Sequence, residues 1–429
     1  MGSRFGLWQT WYLDIAKVDE VSSRVAKRVG GPSPMSGRLF QGRKMKVLWA
    51  SHSAGMAGAE RSLLEGVKGL SSENLSVQVV LPSSGPLAQA LSSLRVPVSV
   101  MRYDWWMSPR GWKSSYYRTR HGVVNLAVWL RILRYLRKLH PDLVVTNTLT
   151  TPIWAVASKY LGLPHVWYVH ESGSAEGDIF DFGDRRTHKL IDALSLLIIV
   201  NSEATRAKLS QSIPIEKLRL AKYAVEIPPG SERLKTDADV FRLALVGRVS
   251  PNKGQAEAIE ALSLLVMQGL NVRLKIIGDV ESEFSRLLRK RANDLNLQAN
   301  VEFVPFAENP FQHLADAEVA LMCSRREAFG RVSVEAMKMG KPVIGADIDG
   351  TRELIRDGLN GLLYEAGNAN DLAEKIGLLY HDRARVTSMG EEARAWATMR
   401  FTVKGYANDL MGIFEEAICK SANVPTQKK

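Results

Sequence analysis

The sequence predicts an α/β protein of two doubly wound, Rossmann-like domains, each a parallel sheet flanked by helices. Three observations predict it. Apolar runs of strand length alternate with amphipathic helical patterns from Met45 onward. The alternation breaks at VEIPPGSERLKTDADV (225–240) and then restarts. A chain of 429 residues also exceeds what one core holds.

Residues 1–44 read apart from the rest. GLWQTWYLDIAKVDEVSSRVAKRV has the spacing of an amphipathic helix and GGPSPMSGRLFQGRK is linker-like, so the stretch reads as a leader, or as sequence upstream of a start at Met45. The first domain is expected over 45–228, with strands in KVLWAS, SVQVVLP, DLVVTNT, PHVWYVHE and LSLLIIVNS. ERSLLEGVKGL and NLAVWLRILRYLRKLH supply helices between them. A linker is expected over 229–240. The second domain, 241–402, restarts with FRLALVGRV and continues through VRLKIIGD, VEFVPF, VALMCS and KPVIGAD, with helices such as GQAEAIEALSLLVMQG and EFSRLLRKRANDL between. Ligands of such sheets bind outside the carboxyl ends of the strands. Two facing domains would then share one interdomain cleft.

Composition narrows the class. A hydrophobic share of 45% with 24% charged residues is ordinary for a globular core. The two cysteines, Cys323 and Cys419, form no metal-binding spacing and exclude a disulfide framework, which suits a reducing compartment. No apolar run approaches the roughly 18 residues of a spanning helix; the longest, ALSLLIIV (193–200), has the length of a buried strand. The N-terminus lacks the order of a signal peptide. A soluble, cytoplasmic protein is expected.

The charge is lopsided. Residues 1–240 hold 32 Lys and Arg against 20 Asp and Glu, while residues 241–429 hold 25 of each. A basic face is therefore expected in the first half, densest over 102–138, where nine basic side chains meet one acid, Asp104. Tyr103, Trp105, Trp106, Trp112, Tyr116 and Tyr117 are interleaved with them. Two readings stand side by side: a solvated, Arg-decorated helix over a core, or a docking surface for an anionic membrane leaflet with the aromatics at headgroup level. No nucleic-acid motif accompanies the charge, so a nucleic-acid partner is not expected.

The chemistry concentrates in EAFGRVSVEAMKMG (327–340). A helix starting near Gly330 presents unpaired N–H groups and a positive dipole end, an anion site. Glu327 lies just before it, and Glu335 lies in the second turn with its side chain tilted back toward the start. Two carboxylates spaced this way bracket an anion rather than crowd it. Hydroxyls, then a diphosphate, then more hydroxyls fit that layout, which is the order of groups in a nucleotide sugar. Cations are needed nearby, and GRVSPNKG (247–254) supplies Arg248 and Lys253 on a strand-to-helix loop. Asp237-Ala-Asp239 and Asp347-Ile-Asp349 have D-x-D spacing but fall in linker and turn, so no metal is expected.

The stretch from Glu327 through EAMKMGKPVIGADIDGTRELIRDGLNGLLYEAGNANDLAEKI resembles the donor-binding signature of the group 1 glycosyltransferases, retaining enzymes of the GT-B fold. GRVSPNKG is similar to that family's phosphate loop. MAGAERSLLE (56–65) resembles its Gly-Gly-x-Glu loop, with Gly58 matching and Ala57 in place of the first glycine. VHESG (169–173) resembles its strand-end histidine, and VNSEA (200–204) its post-strand serine, a cap. In FVPFAEN (303–309), Val304 and Pro305 fall where the family's backbone pairs with the base. The resemblance implies a GT-B fold whose last helix, 403–420, packs back on the first domain. It implies a sugar transferred with retention from a nucleotide diphosphate to a sugar or lipid-linked acceptor, with no cofactor beyond that co-substrate. His170, Arg248, Lys253 and Glu327 would be catalytic. Gly58, Val304, Phe329, Gly330, Arg331, Val332, Ser333 and Glu335 would bind the donor. A non-catalytic nucleotide-sugar or glycan-binding protein is the alternative. A nicotinamide-dependent oxidoreductase is disfavoured, because the first strand-to-helix loop lacks G-x-G-x-x-G.

Overall fold

A computed structural model describes residues 43–71, 75–109, 114–171, 178–229, 239–305 and 310–423. The leader expected over 1–44 lies outside them except for its last two residues, as does most of the expected linker. The chain forms two compact units. One comprises the chain up to Asn201, Arg206–Tyr223 and everything from Val403; the other comprises Ser202–Thr205 and Ala224–Thr402.

The first unit carries strands β1 (Met45–Ala50), β2 (Leu75–Leu81), β3 (Val98–Val100), β4 (Met107–Pro109), β5 (Leu143–Asn147), β6 (His165–Val169), β7 (Asp178–Phe180), β8 (Leu197–Val200) and β9 (Leu218–Leu220). Seven of them form one sheet in the order β3-β2-β1-β5-β6-β8-β9, parallel throughout. Helices on both faces bury such strands from two sides, so β5, β6 and β8 are buried along their whole length. His165 sits in that core because both ring nitrogens are satisfied: Nε2 meets Thr146 Oγ1 at 2.8 Å and Nδ1 meets the Leu194 carbonyl at 3.0 Å. Burial pushes its pKa down to about 3, so the ring is neutral. The helix Val403–Ala422 closes this unit against the helix Gly58–Leu70. Tyr406 donates to Tyr168 Oη and meets Ser62 Oγ, each at 2.9 Å, while Leu410 and Phe414 are fully buried. A Cβ on Gly69 would lie 2.9 Å from the Val403 carbonyl, so the two helices approach closely only because that residue is glycine.

Strands β4 and β7 pair antiparallel as a small ribbon. The long helix Ser114–Leu139 is tied to this region by His121, whose Nδ1 lies 3.3 Å from Asp181 Oδ2, and by Arg120, 3.3 Å from Asp104. The structure corrects part of the aromatic reading of 102–138. Tyr103 and Trp106 are core residues, 4% and 2% exposed, because Tyr103 packs edge-on to Trp154 and Trp106 stacks on Trp167. Tyr116 is exposed, and Trp112 lies outside the described residues.

The second unit carries β10 (Phe241–Val246), β11 (Val272–Gly278), β12 (Val301–Pro305), β13 (Val319–Met322), β14 (Val343–Ala346) and β15 (Gly361–Tyr364). They form a parallel sheet in the order β12-β11-β10-β13-β14-β15. In both sheets the winding reverses at one place, between β1 and β5 and between β10 and β13. Loops on either side of such a reversal splay apart and leave a crevice at the carboxyl ends. The second unit begins at Ala224, ahead of the Pro-Pro-Gly stretch, because the next residue is packed into it: Val225 is fully buried and its N–H donates to the Phe401 carbonyl.

Candidate functional site

The loops leaving β10 and β13 flank the second sheet's reversal, and they carry the residues singled out above. After β10 the chain turns through a short 3-10 segment, Pro251–Lys253, and enters the helix Gln255–Met267 at Gly254. After β13 it runs from Cys323 to the helix Arg331–Lys338. The two loops are fastened to each other. The Arg325 N–H donates to the Asn252 carbonyl at 2.7 Å, and Asn252 Nδ2 donates to the Arg326 carbonyl at 3.1 Å. Gly254 lies against Cys323, where an added Cβ would stand 2.0 Å from the carbonyl oxygen.

Within this frame Lys253 Nζ donates to Glu327 Oε2 at 2.6 Å, and Ser324 Oγ donates to the same oxygen at 3.0 Å. The Lys253 and Glu327 side chains stay partly open to solvent, at 27% and 14%. The backbone of Glu327 and Ala328 is held from two further directions. The Gly350 N–H donates to the Glu327 carbonyl at 3.0 Å, and Ser202 Oγ donates to the Ala328 carbonyl. Ser202 also caps the helix Glu203–Leu209, accepting from the Thr205 N–H at 3.0 Å. Sequence reasoning read Ser202 as a cap but missed its grip on Ala328. A Cβ on Gly350 would sit 2.6 Å from that carbonyl, so glycine is required there too.

The helix Arg331–Lys338 starts at Gly330, whose φ of 86° is left-handed and suits glycine, and no side chain caps it. Ser333, 1% exposed, has an Oγ with no hydrogen-bond partner among the described residues. A Cβ on Gly330 would lie 3.5 Å from both that Oγ and Glu327 Cγ, so the orphaned hydroxyl and the carboxylate stem stand on either side of the helix start. Uncapped N–H groups, a spare hydroxyl and a lysine at one point make a place for an anion. Glu335 is buried and pairs with Arg331, which donates from Nε at 2.9 Å. Arg331 also donates to the Ala224 carbonyl, and Lys338 donates to those of Val225 and Phe401. Val332 is half-buried. Phe329 is core, edge-on to Phe401, so only its backbone can face a ligand. Arg248 is exposed on the first loop, its carbonyl accepting from Gln255 Nε2 at 2.9 Å. Val304 pairs with Ile277 at the end of β12, and residues 306–309 lie outside the described ones. Lys253, Glu327, Gly330 and Ser333 therefore come together; Arg248 stands earlier on the Lys253 loop, and Val304 stands on β12, two strands from β10.

His170 belongs to the first unit, just past β6. Asn201 Nδ2 donates to Tyr223 Oη at 2.9 Å, which turns the tyrosine proton toward His170 Nδ1. Nε2 then carries the ring proton and donates to Asn147 Oδ1 at 2.6 Å. Burial, reinforced by nearby His52, holds the His170 pKa well below its ordinary value, so the ring is neutral. The neighbouring Glu171 accepts the N–H groups of Leu149 and His170, and burial pushes its carboxyl up to about 7. Gly58 opens the helix after β1, exposed, with nothing within 4 Å of an added Cβ. The partners Asn147, Asn201 and Tyr223 carry no sequence signal of their own. They come together because they end β5, follow β8 and follow β9.

Two Rossmann-like units in tandem are the GT-B architecture. Residues 231–396 match the family model described as glycosyl transferases group 1, and residues 56–225 match that described as glycosyltransferase family 4. The chain belongs to the group 1 family of GT-B glycosyltransferases. It is similar to the capsular polysaccharide biosynthesis glycosyltransferase CapM of Staphylococcus aureus, 29% identical over 45% of this chain and 50% of that protein. It is also similar to the D-inositol 3-phosphate glycosyltransferase of Pseudarthrobacter chlorophenolicus, 26% identical over 55% of this chain and 61% of that one. The matches thus span about half the length of these relatives. Among solved structures, Anabaena Alr3699/HepE in complex with UDP and glucose superposes with a TM-score of 0.71 at 24% identity, covering 87% of this chain and all of that one. TarM superposes at 0.68 and 15% identity, covering 86% and 98%. At these identities the superpositions bear on fold alone.

Proposed function

We propose that the protein is a retaining glycosyltransferase that moves a sugar from a nucleotide-diphosphate sugar to a hydroxyl acceptor, in cell-surface polysaccharide or glycolipid biosynthesis. The observation that carries this reading is the Lys253–Glu327 pair beside the uncapped helix start with its orphaned Ser333 hydroxyl. A diphosphate placed there takes the helix N–H groups, the Ser333 hydroxyl and the Lys253 ammonium. Arg248 on the same loop adds a forked donor. Negative charge grows on the leaving diphosphate as the glycosidic bond breaks, and donors fixed in advance lower the barrier at that moment. Glu327, half released from Lys253 by the incoming phosphate, accepts from sugar hydroxyls, and His170 is assigned a catalytic part from the first unit. Glu335 orients Arg331 and accepts from the ribose diol. Same-face attack guided by the leaving phosphate, rather than a double displacement through two carboxyls about 5 Å apart, gives retention. The transferred unit is a hexose or N-acetylhexosamine, the acceptor a sugar or lipid-linked hydroxyl. The CapM relative, named for capsular polysaccharide biosynthesis, supports the setting, and HepE, solved with UDP and glucose, supports the donor class.

The test is a melting screen against nucleoside diphosphates and their sugars. A ligand at 100 times its dissociation constant adds about 2.7 kcal/mol of stability. A raised melting point with one nucleotide series, lost in Glu335→Ala, supports the reading. No shift with any nucleotide ends it, and binding with no sugar released or transferred makes this a nucleotide-sugar-binding protein instead.

The protein is further proposed to work at the cytoplasmic face of a membrane. None of the described helices is long and apolar enough to cross one. On the helix Ser114–Leu139, however, Tyr116, Val123, Leu126 and Leu130 are exposed beside the exposed Arg131, Arg134, Arg137 and Lys138. Spacing of three and four residues puts the apolar members on one outward stripe, and the flanking cations complement anionic headgroups. Vesicles with 30% anionic lipid should float the protein while neutral ones should not. Glu substituted at Val123 and Leu130 together should leave it in the soluble fraction, and equal behaviour with both vesicle types would sink the idea.

A further inference from the structure

A chain of hydrogen bonds runs along the carboxyl ends of the first sheet, and His170 is its middle member. It begins at Asn201, just past β8. Asn201 Nδ2 donates to the His170 carbonyl at 3.1 Å and to Tyr223 Oη at 2.9 Å. The Tyr223 hydroxyl bonds His170 Nδ1, and His170 Nε2 lies 2.6 Å from Asn147 Oδ1. Asn147 Nδ2 then donates to the Ala59 carbonyl at 3.3 Å, in the first turn of the helix Gly58–Leu70. Residues at the ends of β5, β6, β8 and β9 are thus joined to the helix that follows β1. Asn147, Asn201 and Tyr223 are buried, and His170 is half-buried.

Two backbone carbonyls set the direction of this chain, one from each end, because a carbonyl only accepts. The His170 carbonyl fixes the Asn201 amide with its N–H groups toward Tyr223, which sends the tyrosine proton to Nδ1. The Ala59 carbonyl fixes Asn147 with its oxygen toward the ring, which requires a proton on Nε2. The two ends arrive at the same tautomer independently. A second ring proton would face the Tyr223 proton at Nδ1, and burial together with nearby His52 already opposes a charge on the ring. Neither ring nitrogen meets a carboxylate among the described residues. The adjacent Glu171 accepts the backbone N–H groups of Leu149 and His170, and Tyr168 lies against the ring with centroids 4.2 Å apart. A buried polar chain with one direction specifies one geometry, and this one lies where such a sheet binds ligands.

We propose that Asn201, Tyr223 and Asn147 are positioning residues that hold His170 as a neutral ring protonated on Nε2, and that sugar transfer requires this form. The proposal rests on the glycosyltransferase reading and on the part it gives His170. With both nitrogens occupied by the protein, the ring acts neither as a base nor as a counter-ion. Positive charge develops on the sugar as the glycosidic bond breaks, and a charged imidazole in the site would oppose it. A neutral ring fixed in place does not.

The experiment reads the ring directly. Protein carrying isotope-labelled histidine is observed by proton–nitrogen correlation NMR, with His170→Gln assigning the signal. Release of UDP from UDP-glucose and from UDP-N-acetylglucosamine reads turnover. In wild type the two His170 nitrogens should differ widely, as in a neutral ring protonated on Nε2, from about pH 6 to pH 8. Asn201→Asp keeps the shape and leaves only acceptors, so the Tyr223 hydroxyl turns to it and Nδ1 takes a proton. That ring should be charged at neutral pH. UDP release should then fall about 30-fold at pH 7 and recover as the pH rises, because the ring loses its added proton. Asn201→Asp with Tyr223→Phe keeps the carboxylate and removes the hydroxyl that joins it to the ring; this pair should release UDP at least threefold faster than Asn201→Asp. Residues that merely support the fold would change the melting temperature and leave the ring's protonation alone. A wild-type ring protonated on Nδ1, or charged at pH 7, overturns the proposal. So does a charged ring in Asn201→Asp with UDP release at the wild-type rate, or a double variant no faster than the single one. If Asn201→Asp does not fold, Tyr223→Phe decides: a roughly tenfold loss of UDP release with the melting temperature unchanged supports the proposal, and release at the wild-type rate overturns it. If wild type releases UDP from neither donor, the state of its ring decides this proposal, and the glycosyltransferase reading takes the failure.

Discussion

Lys253→Ala lowers kcat for sugar transfer about 100- to 1,000-fold, the loss seen when one donor to a developing oxyanion is removed, or about 3–4 kcal/mol. The structure gives reason to expect the upper part of that range. Lys253 is the cation hydrogen-bonded to Glu327, and removing it leaves that carboxylate with Ser324 Oγ as its remaining donor. The variant therefore loses an attraction for the diphosphate and gains a repulsion from an unneutralised carboxylate beside it. Nucleotide affinity should drop along with kcat, unlike the effect of losing a group that acts in the transition state alone. Lys253→Ala/Glu327→Gln separates the two parts. Relieving the repulsion should recover about tenfold in nucleotide binding and nothing in kcat, because Glu327 is also proposed to hold the sugar. Titration calorimetry with UDP and steady-state transfer read both. A Lys253→Ala enzyme within threefold of wild type in both measurements would show that the pair is a surface ion pair and nothing more.

The fold was legible because parallel strands buried on two faces leave continuous apolar runs, and LIIV in β8 or FRLALV in β10 can hardly be read otherwise. Much of the second unit's site was legible for a local reason. Lys253 lies on one strand-to-helix loop, Glu327 and Ser333 on another, and the winding rule alone brings such loops to one end of a sheet. The unread parts depend on pairings distant in sequence. Nothing in the chain text says that Ser202 grips the Ala328 carbonyl, that Arg331 reaches Ala224, or that both ring nitrogens of His170 are taken by Asn147 and Tyr223. The aromatics of 102–138 failed as a group for the same reason. Composition counts Tyr103 and Trp106 with Tyr116, but only packing tells which of them a neighbouring Trp154 or Trp167 has covered.

Gly254→Ala should cost the second unit about 2–4 kcal/mol and abolish its nucleotide shift in the melting assay. Two independent demands meet at this residue. Its φ of 69° is left-handed, a strain of about 1 kcal/mol or more for alanine. Its Cβ would also stand 2.0 Å from the Cys323 carbonyl oxygen and 2.6 Å from Cys323 Cβ. Neither neighbour is a flexible side-chain tip, and Cys323, itself buried, directly follows the fully buried strand β13, so the loop of residues 247–254 must move instead. That loop carries Lys253 and is fastened to the Glu327 loop through Asn252, so the displacement breaks the Lys253–Glu327 geometry as well. Gly58→Ala is the contrasting case: no left-handed φ, nothing within 4 Å of the new Cβ, and a helical first-turn position, so its melting temperature should stay within a degree or rise. The two glycines look alike in the sequence, each in the loop after the first strand of its sheet. A Gly254→Ala protein that melts and binds nucleotide as Gly58→Ala does would mean that the loops after β10 and β13 are not held in contact, and the donor site built on that contact would fall with it.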